Sequence, residues 1–303
     1  MATIGQTVPE LPDLTVVSEA LHAALAGRPV VRASAPGPLA VRGTPAELGA
    51  FVGQSLTAVT RRGKFLRFQF VRDAIVVNAM LSGRFQLAEP SRPMPGKTAL
   101  VLAFGHRSTG RVHAASWTRG ATWTPPDDAD AELRYRDPTQ MGKVYLLPAG
   151  QARSVPDYEA GAEGADSQGP DADDPTLTLE RWRERIRRHP GELKPLLRNQ
   201  AFVAGIGNAY SDEILHAARL SPFRKRSSLA PEEVDDLYRA MRETLERACV
   251  TLRVRVPPTF ETQVRDFLAV HRRGGQACPR CGTRISEVAS RSEATSWCRT
   301  CQP

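Results

Sequence analysis

The 303 residues are enough for two domains with substantial cores, since single domains usually span about 100–200 residues. The composition, 41% hydrophobic and 24% charged, is that of a globular protein and excludes a collagen-like, coiled-coil or wholly disordered chain. The net charge is +8, and seven of the 33 acidic residues lie within residues 154–175, where there is no Lys or Arg. The basic excess elsewhere favours a polyanionic partner, nucleic acid before an acidic membrane surface; ordinary solubility charge is the alternative.

The N-terminal sequence MATIGQTV has neither a basic start nor an apolar stretch, so no signal peptide is expected. The longest apolar run, residues 74–81, is interrupted by Asn78 and is far shorter than the roughly 20 residues of a membrane helix. We therefore expect a cytoplasmic protein that does not bind membranes.

The first half of the chain predicts one helix followed by strands. A helix is predicted over residues 11–28, ended by Gly27 and Pro29, from an apolar series at helical spacing: Leu14, Val17, Leu21 and Leu25. Short β-rich runs follow, separated by Gly, Pro, Asp and Ser, at residues 64–71, 74–81, 98–104 and 143–148. This half is predicted to be a β-sandwich with a flanking N-terminal helix.

The second half changes to a helical period after a polar segment. Residues 154–176, rich in Gly, Ala, Asp and Pro, are predicted to be an acidic linker. Predicted helices then cover residues 177–188, 192–200, 209–220 and 231–248. The chain is therefore assigned to the α+β class. Its predicted parts are an extension or misassigned start (1–8), a β-sandwich domain (9–153), the linker (154–176), a helical domain (177–268) and a C-terminal hairpin (269–303).

The segment VAGIGN, residues 203–208, lies between the second and third predicted helices of the helical domain. Its glycines permit a tight turn that directs backbone N–H groups toward an anion at the start of a helix, although many such turns have no ligand. Nine basic residues flank the turn: Arg181, Arg183, Arg185, Arg187, Arg188, Arg219, Arg224, Lys225 and Arg226. Alone they would indicate a solvated surface, but with the turn they favour phosphate binding.

Four of the five cysteines form two CxxC pairs, Cys278 with Cys281 and Cys298 with Cys301. Two such pairs can place four thiolates tetrahedrally around Zn²⁺, with Gly282 allowing the first pair to turn. Because the protein would fill all four positions, the metal is expected to be structural. Disulfides or a redox CxxC are the alternatives, which the cytoplasmic location and the paired arrangement disfavour. The six histidines show no metal-binding spacing and receive no catalytic or metal role.

Five segments occur in one order: PELPD (9–13), RRGK (61–64), LSG (81–83), GIGNAYSDE (205–213) and the cysteine tail that closes in CQ (301–302). Together they resemble the formamidopyrimidine-DNA glycosylase and endonuclease VIII family of base-excision repair enzymes, over nearly the whole chain. The resemblance implies a helix-two-turn-helix domain around the glycine-asparagine turn and a zinc finger in the tail. It also implies a DNA glycosylase, with abasic-site (AP) lyase activity, that acts on damaged double-stranded DNA.

The resemblance assigns roles to individual residues. The family's nucleophile, an N-terminal proline amine that attacks the sugar C1′, corresponds to Pro9, and its general acid to Glu10. Lys64 corresponds to the lysine that contacts the DNA backbone and helps elimination, and Asn208 to a phosphate ligand in the turn. The target base is expected to be flipped out of the duplex. A helix cap is the alternative role for Glu10, and an ordinary strand-entry charge for Lys64.

Pro9 departs from the family pattern because eight residues precede it. A proline nitrogen inside a peptide bond has a delocalised lone pair and no proton, so it cannot form an iminium. We hypothesise that Val8 marks a GTG start codon, so that initiation there and removal of Met leave Pro9 first. Intact-mass analysis tests this hypothesis, because a native mass that includes MATIGQTV contradicts it. A genuine extension on a monofunctional or inactive relative is the alternative.

Other departures concern the residues that handle the lesion. The segment DPTQMG, residues 137–142, stands where many relatives have DPRRFG. The void-filling positions are therefore Gln140 and Met141, with Leu81 as a candidate wedge, and apolar side chains can occupy the gap left by a flipped base. Core packing is the alternative for Leu81 and Met141. We also assign Lys143 to DNA binding.

In the hairpin, Glu293 stands where relatives commonly have Arg, and Arg291 is the nearest candidate for that DNA contact. These departures leave the lesion open, a bulky or alkylated base included. The alternatives to a lyase-active glycosylase are a non-enzymatic damaged-DNA binder and a monofunctional glycosylase in which Glu10 activates water. An RNA-binding zinc-ribbon protein is a more distant one. The remaining expectations are a monomer, a nucleoid location and Zn²⁺ as the cofactor.

Overall fold

The chain is described by a computed structural model that covers residues 8–107, 125–158, 168–256, 260, 263–289 and 293–303. Two compact units are present: Met1–Pro156 with Cys249–Val264, and Asp157–Ala248 with Arg265–Pro303. Strands dominate the first unit, and helices with a short hairpin make up the second, which confirms the α+β class. Residues 1–7 and the candidate Arg291 lie outside the described residues.

Two sheets form the first unit. Its helices are α1 (Leu11–Leu25) and α2 (Pro45–Gly49). Its strands are β1 (Val30–Ser34), β2 (Val41–Arg42), β3 (Leu56–Arg62), β4 (Phe65–Phe70), β5 (Ala74–Asn78), β6 (Arg84–Ala88), β7 (Thr98–Phe104), β8 (Ala131–Arg136) and β9 (Lys143–Leu147). The sheet orders are β1-β7-β8-β6 and β2-β9-β5-β4-β3. Phe68 of β4 meets Phe85 of β6 at a ring distance of 5.8 Å, so the two sheets face each other as predicted.

Helix α1 buries its apolar side but ends three residues before the predicted limit. All four predicted apolar positions are buried, the most exposed at 8%. Gly27 is left-handed, with φ +82°, and ends the helix. The buried guanidinium of Arg28 then donates to the carbonyl of Ala24 at 3.0 Å and to four further carbonyls, those of Gly105, Pro125, Pro126 and Ala129. Arg28 therefore caps the last turn of α1 instead of extending it.

Several elements were not predicted: α2 and the strands β1, β2, β3, β6 and β8. Strand β8, AELRYR, shows the reason, because half of its residues are charged. Glu132 and Arg134 are only 4% and 2% exposed, and their ion pair of 2.7 Å allows both to enter the sheet. Arg134 also donates to Gln86, its register partner in β6, at 3.4 Å. Pairing between strands, which the local pattern does not contain, makes this polar sequence a buried strand.

The chain crosses between the two sheets twice, at the same end of the paired strands. Strands β5 and β9 are antiparallel neighbours in one sheet, with Asn78 opposite Lys143. Strands β6 and β8 are antiparallel neighbours in the other, with Arg84 opposite Arg136. The connections β5–β6 and β8–β9 therefore lie side by side, and we call residues 79–83 and 137–142 the crossover loops. One carries the candidate Leu81, and the other carries Gln140 and Met141.

The second unit contains the predicted helices and the hairpin. The helices are α3 (Leu179–Arg188), α4 (Leu193–Arg198), α5 (Asn208–Ala218) and α6 (Pro231–Arg255), and the hairpin strands are β10 (Ser286–Ala289) and β11 (Ala294–Trp297). The residues of α6 from Cys249 onward are counted with the first unit. Helix α6 runs past its predicted end at residue 248, because Cys249 and Leu252 continue the buried side of the helix. Among the described residues, no helix has the length and apolar character needed to cross a membrane.

Part of the segment assigned to the acidic linker belongs to the second unit. The N–H of Ala172 donates to the Ala204 carbonyl at 3.0 Å, and the N–H of Ala204 donates to the Pro170 carbonyl at 2.8 Å. Ala172 is fully buried. These bonds hold residues 170–172 against the glycine-containing turn, although their composition is that of a linker.

Tyr135 of β8 fills the space between the crossover loops. The side chain is 1% exposed. A Cβ added to Gly83 would lie 2.2 Å from its hydroxyl oxygen, and one added to Gly142 would lie 1.9 Å from it. Burial and the nearby charge of Asp137 raise the pKa of Tyr135, so the hydroxyl keeps its proton. The loops therefore need glycine at both positions.

We predict that Gly142→Ala destabilises the protein by roughly 1–3 kcal/mol through overpacking against Tyr135. Tyr135→Phe should recover much of that loss, because it removes the closest atom. Urea unfolding of the single and double variants measures both effects. Gly96→Ala is the matched control, because a Cβ there meets nothing within 4 Å. Equal costs of Gly142→Ala with and without the Tyr135 hydroxyl would contradict the explanation.

Candidate functional site

The catalytic candidates Pro9 and Glu10 lie at the start of α1. Pro9 is buried, and Glu10 is 2% exposed and occupies the N-cap position of the helix. The Glu10 backbone N–H donates to the Asp13 carboxylate at 2.8 Å. Glu10 therefore occupies the capping position that was its alternative role, and its side chain is buried directly after Pro9 in the chain.

A pocket of the first unit has Pro9 in its lining. Its lining is mainly apolar, with three polar side chains along one part: Asp13, Arg84 and Gln263. The Gln263 amide donates to Asp13 at 3.5 Å, and Arg84 donates to the Gln263 amide oxygen at 3.3 Å. A largely apolar pocket with a few convergent polar groups has the character of a small-molecule site.

Lys64 lies in the two-residue loop that joins β3 to β4, since Arg62 and Phe65 are register partners across it. The loop turns at Gly63, whose φ is +54°. Arg61 donates to the Gly63 carbonyl at 3.2 Å and to the Thr15 hydroxyl of α1 at 2.9 Å. Arg61 therefore holds the hairpin that carries Lys64 against the first turns of the helix that follows Glu10.

The crossover loops bring three of the DNA-binding candidates to the same end of the two sheets. Leu81 and Met141 are exposed by 37% and 46% of their surface, so neither is a core residue. Gln140 precedes Met141 and has a left-handed backbone, with φ +56°. Lys143 begins β9 directly after the second loop. All four residues therefore lie at the end of the sheets where the chain crosses from one sheet to the other.

The glycine-containing turn is organised by Gln200, which the sequence analysis did not identify. Its amide oxygen accepts the Gly205 N–H at 2.9 Å, and its amide nitrogen donates to the Ile206 carbonyl at 2.9 Å. Gly205 has φ +98°, a conformation that favours glycine. Asn208 is the first residue of α5, and its amide oxygen is buried without a hydrogen-bond partner among the described residues. Asn208 is therefore presented at a helix N-terminus, where anions are favoured.

Several of the basic residues assigned to phosphate binding instead stabilise the second unit. Arg183 forms a bidentate ion pair with Asp235 at 2.7 and 2.5 Å. Arg185 donates to the carbonyls of residues 201 and 202, beside the turn, and Arg224 pairs with Glu233. The expected basic surface is consequently narrower, and its exposed members include Arg187, Arg219 and Lys225.

The four cysteines of the two CxxC pairs form a metal site. Their Sγ atoms all lie within 4.8 Å of one another. The separations are 4.0 Å for Cys278 and Cys301 and 3.4 Å for Cys281 and Cys298. A tetrahedral zinc-thiolate site with bonds of about 2.3 Å has sulfur atoms roughly 3.8 Å apart, so the cluster fits structural Zn²⁺. Gly282 has φ +76° at the first turn, as predicted.

Helix α5 supports the metal site. His216 Nε2 lies 3.4 Å from the Sγ of Cys278, and the Arg280 guanidinium donates to the His216 carbonyl at 2.8 Å. Gln302, which follows the second CxxC pair, joins that pair to the chain just after α5. Its amide oxygen accepts the Cys298 N–H and its amide nitrogen donates to the Leu220 carbonyl, both at 2.9 Å. A hydrogen bond to a metal-binding thiolate fixes the ligand's orientation.

Glu213 of α5 binds the segment that precedes the metal site. Its carboxylate accepts three backbone N–H groups, those of residues 269, 270 and 271, at 2.7 to 2.9 Å. Burial raises the pKa of Glu213, whereas the three N–H groups act in the opposite direction. The acid therefore serves as a backbone anchor.

Asp212, the neighbouring acid, binds the hairpin itself. It pairs with Lys194 at 2.6 Å and with His271 Nδ1 at 2.8 Å, and it accepts the Ser296 N–H at 3.3 Å. Lys194 also donates to the Ala294 carbonyl at 2.8 Å. The hairpin and the helix that begins at Asn208 are thus joined by buried charge.

The sequence analysis missed Asp212, Glu213 and His216, but the sequence contained a signal. Asp212 and Glu213 lie four and three positions before His216, spacings at which side chains of a helix are neighbours. All three are buried in α5, and buried polar side chains indicate bound partners. The partners themselves, residues 269–271 and 296, are distant in the chain and could not be assigned.

The comparisons with known proteins agree with this architecture. The chain matches the formamidopyrimidine-DNA glycosylase N-terminal domain over residues 8–144 and the formamidopyrimidine-DNA glycosylase H2TH domain over residues 168–255. Residues 275–303 match the zinc finger found in FPG and IleRS.

Two relatives match nearly end to end. The formamidopyrimidine-DNA glycosylase of Symbiobacterium thermophilum is 31% identical over 98% of this chain and 90% of its own. That of Pelotomaculum thermopropionicum is 28% identical over 97% of this chain and 99% of its own. The chain therefore belongs to the formamidopyrimidine-DNA glycosylase family, whose members are DNA glycosylases of base excision repair.

Solved structures share the fold. Lactococcus lactis Fpg in complex with DNA that contains N7-benzyl-Fapy-dG has a TM-score of 0.77 and 23% identity. The same protein with DNA that contains an abasic site has a TM-score of 0.76 and 22% identity. Each comparison covers 97% of this chain and 99% of the other.

We predict that Cys298→Ala removes most of the bound zinc, because a closed structural site needs all four cysteine ligands to hold its Zn²⁺. Metal analysis of the purified protein measures the zinc content, and thermal unfolding measures the accompanying loss of stability. Cys249→Ala is the control, because Cys249 is a buried cysteine outside the cluster. Full zinc occupancy in Cys298→Ala would exclude the four-cysteine site.

We predict that Lys194→Met destabilises the protein by about 3–5 kcal/mol, because it leaves the buried charge of Asp212 undercompensated. Asp212→Asn in the same chain should recover part of the loss. Arg239→Met, which breaks an exposed ion pair with Asp236, is the control and should cost no more than about 1 kcal/mol. Urea unfolding measures all three. If Lys194→Met lowers the free energy of unfolding no more than Arg239→Met does, the buried ion pair does not contribute to stability.

Proposed function

We propose that the protein excises damaged bases from double-stranded DNA by covalent catalysis at Pro9 and then cleaves the abasic site. The observation that carries the proposal is the placement of Pro9 in the lining of the pocket, with Glu10 buried next to it in the chain. A base turned out of the duplex needs such a pocket next to the nucleophile. The basic excess of the chain and family membership support DNA as the partner.

In the proposed reaction the Pro9 nitrogen bonds to the sugar C1′ while the bond from C1′ to the damaged base breaks. The base leaves with a proton, and Glu10 is the candidate donor. The Pro9 nitrogen then loses its proton, and the bond from C1′ to the ring oxygen O4′ breaks as O4′ takes up a proton, which leaves an iminium between Pro9 and C1′. This iminium withdraws electrons from C1′, which favours loss of a proton from C2′ and expulsion of the 3′ phosphate. Lys64, held near α1 by Arg61, is the candidate residue for contacting the backbone during this elimination.

The mechanism requires a free amine at Pro9, so we propose that the active protein begins there. The match to the family's N-terminal domain begins at residue 8, which supports this. An α-amine has a pKa of about 7.7–8.0, so a useful fraction is unprotonated near neutral pH. If Pro9 stays inside a peptide bond, two alternative functions are left. The protein is then a glycosylase that uses Glu10 and water, or a protein that only binds damaged DNA.

The DNA contacts are proposed from the candidate residues. Leu81, Gln140 and Met141 would enter the duplex at the gap, Lys143 and Asn208 would contact phosphates, and Arg291 remains a candidate from sequence alone. Glu293, which stands where relatives commonly have Arg, pairs with Arg198 of α4. Monomeric action and a nucleoid location remain predictions, as does the lesion itself.

We predict that borohydride traps a covalent adduct with abasic-site DNA only when Pro9 is the first residue. Electrophoresis of the trapped complex compares this form with the form that begins at Met1. In the Pro9 form, Glu10→Gln should slow base release by roughly 10²–10⁴-fold, the usual contribution of an acid-base group. Glu19→Gln, which lies on the same helix and pairs with Arg253, is the matched control.

The outcomes separate the alternatives. Equal trapping by both forms would place the nucleophile elsewhere, with Lys64→Ala as the next variant to test. Base release without trapping identifies a water-using glycosylase, and binding without base release identifies a non-enzymatic binder.

A further inference from the structure

Asp137 connects the two crossover loops from the inside. Its carboxylate is almost completely buried, with 1% of the residue exposed. One oxygen accepts the hydroxyl of Ser82 at 2.5 Å, and the other accepts the N–H of Gly142 at 2.6 Å. One carboxylate therefore binds both the β5–β6 loop and the β8–β9 loop.

Ser82 and Thr139 complete the connection. The two hydroxyl oxygens are 2.6 Å apart, and the Thr139 N–H donates to the Ser82 hydroxyl at 3.0 Å. The Thr139 hydroxyl also approaches the Asp137 carboxylate at 3.2 Å. Ser82 and Asp137 are buried, and Thr139 lies at the exposed end of the network. A connected set of hydrogen bonds of this kind holds its members in one geometry.

The backbone around the wedge candidates needs such support. Met80, directly before Leu81, has φ +46°, and Gln140, directly before Met141, has φ +56°. Non-glycine residues adopt this conformation at a cost and keep it only where the surroundings fix it. Asp137 contributes here as well, since its carbonyl accepts the Gln140 N–H at 3.2 Å.

The consequence appears on the outer side of the loops. Leu81 and Met141 are exposed, whereas Ser82 and Asp137 are 2% and 1% exposed. Each crossover loop thus carries one exposed apolar side chain and one buried polar side chain. A side chain that fills the gap left by a flipped base must hold its position against the stacked duplex.

We propose that Asp137 is a positioning residue for lesion recognition, because its buried carboxylate locks the two crossover loops so that Leu81 and Met141 enter DNA as one wedge. The inference rests on the proposed function, since it requires binding of damaged duplex DNA. It does not depend on the nucleophile, because insertion of the wedge precedes any bond to C1′.

The test measures binding rather than catalysis. The probe is a duplex that contains a tetrahydrofuran abasic-site analogue, compared with the same duplex undamaged, and the readout is the ratio of the two dissociation constants. We expect Asp137→Asn to lower this preference roughly tenfold while affinity for undamaged duplex stays unchanged. A variant that merely loses stability would weaken both complexes together, and thermal unfolding measures that loss separately.

Asp73→Asn is the matched control. Asp73 is another buried carboxylate, 7% exposed, that accepts from the Gln54 amide at 2.6 Å and from the Ala149 N–H at 2.8 Å. It lies at the opposite end of β5 and β9, where Ala74 pairs with Leu147. Asp73→Asn should leave the preference for the abasic analogue at the wild-type value.

A double-mutant cycle tests the route of the effect. In a protein that carries Leu81→Ala and Met141→Ala, Asp137→Asn should have little further effect, because the wedge it positions is gone. Additive effects would overturn the proposal, as would an unchanged preference in Asp137→Asn. Absence of any preference in the wild type would remove both the wedge and its positioning. Failure of base release with the preference intact would instead count against the proposed chemistry alone.

Discussion

A carboxylate taken out of water must find donors for its lone pairs, and each unit of the protein is organised by this requirement. In the first unit, Asp137 obtains a hydroxyl from one loop and a backbone N–H from another, so the two loops take up a fixed geometry. In the second unit, Glu213 gathers three backbone N–H groups, while Asp212 gathers Lys194 and His271. Desolvation makes an incomplete donor set costly, so segments far apart in sequence are held together with little freedom.

The same physical rule limits what charge alone says about DNA binding. Guanidinium groups carry five donors, and buried carbonyls or carboxylates need them. Arg28 caps a helix, Arg134 lies inside a sheet and Arg185 supports the backbone beside the glycine-containing turn. The positive charge of the chain is therefore divided between holding the fold and facing a polyanion. Family membership and the pocket beside Pro9, rather than net charge, make DNA the partner of choice.

Features that depend on short spacing could be predicted from the sequence, and those that depend on pairing could not. The two CxxC pairs, the apolar series of α1 and the glycines of the turn each carry their physics within a few residues, and the structure shows all three. Strand β8 was not predicted because half of its residues are charged. The structure buries two of these charges, Glu132 and Arg134, by pairing them with each other.

Long-range pairing also explains the residues that were missed at the site. Leu81 and Met141 were identified as separate candidates, but their common edge follows from the register of β5 with β9 and of β6 with β8. Nothing local to Ser82 or Asp137 announces that their side chains meet 55 positions apart. The roles of Pro9, Glu10 and Lys64 come from resemblance and chemistry, and the experiments above decide them.

The division of the crossover loops into inward and outward positions has a consequence for adaptation. Ser82, Gly83, Asp137 and Gly142 are constrained by the buried network and by the Tyr135 ring, so exchange there damages the frame. Leu81 and Met141 project from that frame and contribute nothing to its hydrogen bonds. Selection can therefore exchange these two side chains without rebuilding the scaffold, so the exposed surface of the crossover loops can diverge between relatives while the buried network stays the same.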